Sequence, residues 1–180
     1  MILAALQAPG RGETNRLLSD LAAEARTRGL RVVGTVQVNH TIAGTHHCDM
    51  DVQVLPQGQI LRISQSLGTG SRGCRLDPSV LEQAVQLVGD ALAEGADLLI
   101  VNKFGKHEAE GRGFRDLIAE ALMQGIPVIV GLNDLNAEAF EAFAGDIAQM
   151  LPPEPAALSD WLAAHTATSC CGCDCHAAHG

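Results

Sequence analysis

DLLIVNKFGKHEAEGRGFR, residues 97–115, decides the fold. It begins with a continuous aliphatic run, Leu98–Val101, of the kind found in parallel strands covered on both faces. The run empties into a loop carrying Asn102, Lys103, Lys106, His107, Glu108, Arg112 and Arg115. In open α/β sheets ligands bind outside the carboxyl ends of the strands, so cations in this loop point to an anion. The chain as a whole has a formal net charge of -9, which sets the basic cluster apart. The plainer alternative is a solvated helix start whose cations pair with Glu108, Glu110 and Asp116.

Outward from this stretch one unit recurs: an amphipathic helix stops at glycine and a short aliphatic run follows. Gly29 precedes residues 30–36, Gly95 precedes 96–101, and Gly125, reinforced by Pro127, precedes 126–130. Glycine just past a helix takes the left-handed conformation that ends it. With residues 2–6 as a further strand, the pattern predicts an α/β fold of three layers, a mainly parallel sheet with helices on both faces. Helices are expected at 13–28, 77–94, 113–124 and 136–149. Asp77-Pro78 supplies a carboxylate at the N-cap and proline in the first turn. Leu81, Ala84, Val85, Val88, Ala91 and Leu92 form that helix's apolar stripe. Residues 49–55 and 59–64 flank Pro56-Gln57-Gly58 and read as a β-hairpin insertion.

The expected organisation is an α/β domain over 1–151, a proline-rich linker with a short helix near 158–164 within 152–168, and a disordered Cys/His-rich tail over 169–180. At 180 residues and 47% hydrophobic, the chain can bury one proper core. The opening residues lack the basic start and cleavage pattern of a secretory signal. No apolar run is long enough to cross a bilayer. A cytoplasmic address and no membrane partner are therefore expected. The acidic balance, one Trp and no Tyr also argue against nucleic acid as a partner.

Two resemblances rest on particular residues. The first strand, the turn from Gly10 to Gly12 and residues 97–108 resemble a worn P-loop nucleoside-triphosphatase of the small type first described from thermophiles. Cys48-Asp49-Met50-Asp51, Gly73-Cys74-Arg75-Leu76-Asp77-Pro78, Asn102-Lys103-Phe104-Gly105-Lys106, Glu108, Gly111-Arg112-Gly113 and Ile126-Pro127-Val128 carry a closer one. Through them residues 2–151 resemble a bacterial family of unknown function often encoded beside molybdate transport genes. That resemblance implies a P-loop-like fold and a link to molybdenum.

A P-loop reads G-x-x-x-x-G-K-[ST], with glycines that let backbone amides cradle phosphate, lysine to neutralise it and a hydroxyl for Mg²⁺. Here the stretch is Gln7-Ala8-Pro9-Gly10-Arg11-Gly12-Glu13-Thr14: Gly12 and Thr14 fit, but a carboxylate stands in the lysine position. At the strand end where such enzymes place acids, the chain has Asn102 and Lys103. Both the phosphate clamp and the Mg²⁺ support of phosphoryl transfer are missing. The expectation is binding without hydrolysis. An unconventional triphosphatase using Lys103 and Glu108 is a further alternative.

The expected anion or nucleotide cradle consists of Lys103, Lys106 and Arg112, joined by Arg11, with the amides of Gly105, Gly111 and Gly113 and the turn of Gly10, Gly12 and Thr14. Candidate ligands are phosphate, nucleotide phosphates, molybdate and tungstate. Glu108 reads as a salt-bridge acceptor fixing Lys103 or Lys106. A second anion-friendly loop holds Arg72 and Arg75, whose alternative is a flexible hairpin exit.

His40, His46, His47, Cys48, Asp49 and Asp51 have metal-ligand chemistry without a zinc spacing. Asp49 or Asp51 would hold Mg²⁺ through water, His47 and Cys48 a softer ion; alternatively these side chains simply line a strand edge. The tail SCCGCDCHAAHG brings Cys170, Cys171, Cys173 and Cys175 together with His176 and His179. Thiolate plus imidazole suits Zn²⁺ or Cu(I), so a metal storage or delivery protein is the alternative function. A homo-oligomer is compatible with either reading.

Overall fold

The computed structural model describes residues 1–38, 51–65 and 75–166. Strands β1 (Leu3–Leu6), β2 (Val32–Val38), β3 (Asp51–Leu55) and β4 (Ile60–Arg62) are followed by a two-residue ladder, β5 (Ser64–Gln65) with β6 (Arg75–Leu76). Strands β7 (Leu98–Val101), β8 (Val128–Gly131) and β9 (Ala148–Leu151) complete the set. Seven of them form one sheet in the order β4-β3-β2-β7-β8-β1-β9. β2, β7, β8, β1 and β9 run parallel, and β3 and β4 add an antiparallel hairpin at one edge. Leu3 pairs with Val128 and Val32 with Leu98, so the carboxyl ends of β1, β2, β7 and β8 open on one edge of the sheet.

Alternation along the strands builds two cores. Leu3, Ala5, Leu99, Val101, Val128 and Val130 face α2 (Pro78–Ala93), α4 (Arg115–Met123) and α5 (Ala137–Ala144). Ala4, Leu6, Leu98, Ile100 and Ile129 face α1 (Glu13–Thr27) and α6 (Pro155–His165). Every side chain of β7 is buried because it lies mid-sheet between these layers. The expected entry to α2 is present: Asp77 Oδ1 accepts the Ser79 N–H at 2.9 Å and Pro78 occupies the first turn. Glu24 and Arg28 of α1 both bond the Ser159 hydroxyl of α6, while Leu158, Trp161 and Leu162 are buried. The helix after the prolines is thus packed into the α/β body.

Two expected helices differ from the structure. The helix expected at 113–124 begins at Arg115 and is preceded by a four-residue turn of helix, α3 (Lys106–Ala109). The helix expected at 136–149 stops at Ala144; a 3-10 turn, Gly145–Ile147, then leads into edge strand β9. The strand sequence AQML has no β-branched residue. Its conformation comes from pairing with β1, a tertiary contact that overrides local preference. Among the described residues no helix is long and apolar enough to cross a membrane.

Docking of α6 makes a checkable demand. Truncating Trp161, 4% exposed, to alanine is expected to lower stability by about 3–5 kcal/mol. Urea denaturation measures this. An unchanged midpoint would mean that α6 contributes nothing to the core.

Candidate functional site

At the carboxyl edge, β1 runs into a turn over residues 7–12 that ends where α1 starts. Gly12 is the N-cap, with no side-chain cap on the helix, so the first-turn amides have no intrahelical acceptor. The turn is closed from inside: Thr14 Oγ1 accepts the Ala8 N–H at 3.0 Å. Gln7 Nε2 donates to Asp134 Oδ1, tying this turn to the loop after β8. In the lysine position Glu13 meets Arg16 at 2.6 Å, and Arg16 reaches on to Asp20 at 2.6 Å. The hydrogen bond from Arg16 holds the Glu13 carboxyl below the usual carboxylate range, against a smaller opposing effect of burial. Glu13 is therefore an anion at neutral pH.

The end of β7 is polar and closed. Asn102 is buried; its Oδ1 accepts the Gln37 N–H at 3.1 Å, and its Nδ2 donates to Asn15 Oδ1 at 3.2 Å. Asn15 Nδ2 in turn donates to Gln37 Oε1 at 2.8 Å. Three carboxamides, from α1, β2 and the end of β7, thus form one network beside the turn. Asn102 was among the expected site residues; Asn15 and Gln37 were not. Nothing local marks them, because the network joins positions 22, 65 and 87 residues apart.

Beyond Asn102 the chain crosses β8. A Cβ on Gly131 would lie 2.2 Å from the Asn102 carbonyl oxygen, so only glycine permits this crossing. Phe104 donates its N–H to the Gly131 carbonyl at 2.8 Å and buries its ring against Phe140 and Phe143. Glu108 then closes the loop. Its buried carboxylate accepts the Gly105 N–H at 2.8 Å and the Phe114 N–H at 3.1 Å. Gly113 has φ 61° and leaves room for that carboxylate: a Cβ there would sit 2.2 Å from Glu108 Oε1.

This geometry corrects the role expected for Glu108. It pairs with neither Lys103 nor Lys106, because two main-chain amides hold it inside the loop. The cations also separate. Lys106 lies 3.6 Å from Glu110, Arg112 bonds the same carboxylate, and the Arg112 hydrogen bond holds the Glu110 carboxyl below the usual range. Arg115 stacks 4.5 Å above the Phe143 ring. Lys103 is exposed and has no ion pair among the described residues. Two expected amide donors are already occupied, Gly105 by Glu108 and Gly111 by the Glu108 carbonyl. Lys103, Lys106 and Arg112 are all exposed, the last two paired with Glu110, and the turn presents Gly10 exposed with Gly12 and Thr14 half-buried.

The metal candidates divide differently. Asp51 is buried on β3 and paired with Arg62 of β4 at 3.2 Å, a cross-strand ion pair. His47, Cys48, Asp49, Arg72 and the tail residues Cys170, Cys171, Cys173, Cys175, His176 and His179 lie outside the described residues. Arg75 falls in β6. Among the described residues no three His, Cys, Asp or Glu side chains gather as metal ligands would.

The model of a family described as a protein of unknown function (DUF2478) matches residues 3–161. Over 151 residues the chain is 36% identical to the Molybdenum import ATP-binding protein ModC 2 of Bradyrhizobium diazoefficiens (strain USDA 110). That match covers 83% of this chain but 17% of the relative, so the chain spans about a sixth of that protein's length. The solution structure of a human cancer-related nucleoside triphosphatase superposes with a TM-score of 0.62 at 18% identity, covering 93% of this chain and 98% of that one. The fold is accordingly that of the P-loop nucleoside-triphosphatases.

Replacing Glu108 by glutamine tests the loop closure. The amide can accept from one of the two N–H groups but turns an NH₂ toward the other, at an expected cost of about 1–3 kcal/mol. Denaturant unfolding reads this as a lower midpoint at unchanged slope. An unmoved midpoint would remove Glu108 from the account.

Proposed function

The chain belongs to the family of proteins of unknown function called DUF2478, and on that footing we propose that it binds an oxyanion or a nucleotide at the carboxyl edge without hydrolysing it. The ligand class is molybdate, tungstate or phosphate-type, and the setting molybdenum metabolism in the cytoplasm. Similarity to a protein whose name specifies molybdenum import supports that setting. One observation carries the reading: Glu13, ionised and held by Arg16, stands where a P-loop places its lysine. Without that lysine the polyphosphate clamp is absent, and the neutral Asn102 network leaves the β7 end without an acid to support Mg²⁺.

The turn and helix start remain able to receive an anion. The open amides of the first turn of α1 carry the positive end of the helix dipole. Lys103 adds a full charge from the end of β7 on the same edge. Lys106 and Arg112 contribute less, since both are engaged with Glu110.

Calorimetric titration of molybdate, tungstate, phosphate and ATP measures this directly. Lys103→Ala is expected to weaken binding by about one to two orders of magnitude, the loss of one charge-assisted contact. Lys106→Ala and Arg112→Ala should weaken it less. Equal binding by the parent and all three variants would move the site elsewhere, with the loop around Arg72 and Arg75 next. ATP and GTP turnover should stay below about 1 s⁻¹, the low end of ordinary enzymes.

The tail supports a second reading, in which its four cysteines and two histidines capture Zn²⁺ or Cu(I) and load the domain. Deleting residues 169–180 is expected to abolish binding of these metals and leave the unfolding transition in place. Retained metal stoichiometry would refute it.

A further inference from the structure

The proposed site has two side-chain oxygens where a P-loop and the neighbouring strand end would offer ligands to a divalent cation. Both already accept main-chain hydrogen bonds. Thr14 Oγ1 takes the Ala8 N–H at 3.0 Å, closing the turn on itself. Asn102 Oδ1 takes the Gln37 N–H at 3.1 Å, and the other end of that carboxamide presents N–H donors to Asn15. A cation there would face a donor and a neutral oxygen, not a carboxylate.

Among the described residues, the two carboxylates flanking the turn are engaged as well. Glu13 is drawn to Arg16, and Asp134 holds the Gln7 amide. Mg²⁺ demands near-octahedral oxygen geometry and is ordinarily held by one or two carboxylates together with substrate phosphates. Recruiting it here would rely on two neutral oxygens that each already accept a main-chain N–H, with no unengaged carboxylate beside them among the described residues.

Resting on the anion-binding reading above, we propose that the ligand enters without a divalent cation, as a free tetrahedral oxyanion of the molybdate, tungstate or phosphate class, and not as a Mg²⁺–nucleotide. The charges agree. Lys103 and the end of the α1 dipole, worth roughly half an elementary charge, offset most of a dianion. A triphosphate brings more negative charge than these groups balance. It would also meet the Glu13 carboxylate in place of a lysine.

The test is calorimetry on the full chain with molybdate, phosphate and ATP, each in EDTA and again in excess Mg²⁺. Molybdate or phosphate is expected to bind with the same Kd in both buffers, within about twofold, and ATP to bind more weakly and gain nothing from Mg²⁺. A gain for ATP of about tenfold or more on adding Mg²⁺, or oxyanion binding that vanishes in EDTA, would overturn metal independence while leaving anion binding in place. ATP that binds in EDTA more tightly than either oxyanion would overturn the ligand class. Silence from every anion in both buffers would remove the anion-binding reading and this proposal with it.

Discussion

β7 is buried along its whole length, with α2, α4 and α5 on one side and α1 and α6 on the other. A strand so enclosed has no polar outlet along its faces, so the chemistry must appear where it ends. Because β1, β2 and β8 run parallel to it, their polar termini emerge together. Asn102 is the first residue past this enclosure and is itself still buried. Buried polar groups need partners, and Asn102 finds them in Asn15 and Gln37. That burial places the candidate site at the strand end, over a floor of three neutral carboxamides.

Glu108 works the same way one turn further on. A carboxylate at 3% exposure is costly unless hydrogen-bonded. Main-chain amides from Gly105 and Phe114 satisfy it, so its charge organises the loop instead of neutralising a lysine. The surface cations are consequently sorted by their own carboxylate, Glu110, which holds Lys106 and Arg112. Lys103, set between Asn102 and the buried Phe104, stays outside that arrangement.

The parallel units were legible because their signals are local. Unbroken aliphatic runs mark β1, β7 and β8, and Asp77-Pro78 marks the start of α2. The hairpin expected at 49–55 and 59–64 appears in the described residues as β3 (Asp51–Leu55) and β4 (Ile60–Arg62). β9 was not legible, since a short edge strand takes its conformation from its neighbour β1. Of the candidate site, the loop from Asn102 and the carboxylate at Glu13 could be read directly. The carboxamide network and the inward turn of Glu108 could not, because both are decided by which groups meet in space. Charge counts overstate a cradle when one nearby glutamate engages two of its members.

The most direct measurement of the central claim is anomalous diffraction at the tungsten edge from crystals exposed to tungstate. A peak between the Lys103 ammonium and the first-turn amides of α1 is the predicted result. A peak at the loop around Arg72 and Arg75, or no peak in crystals that retain the fold, would contradict the claim.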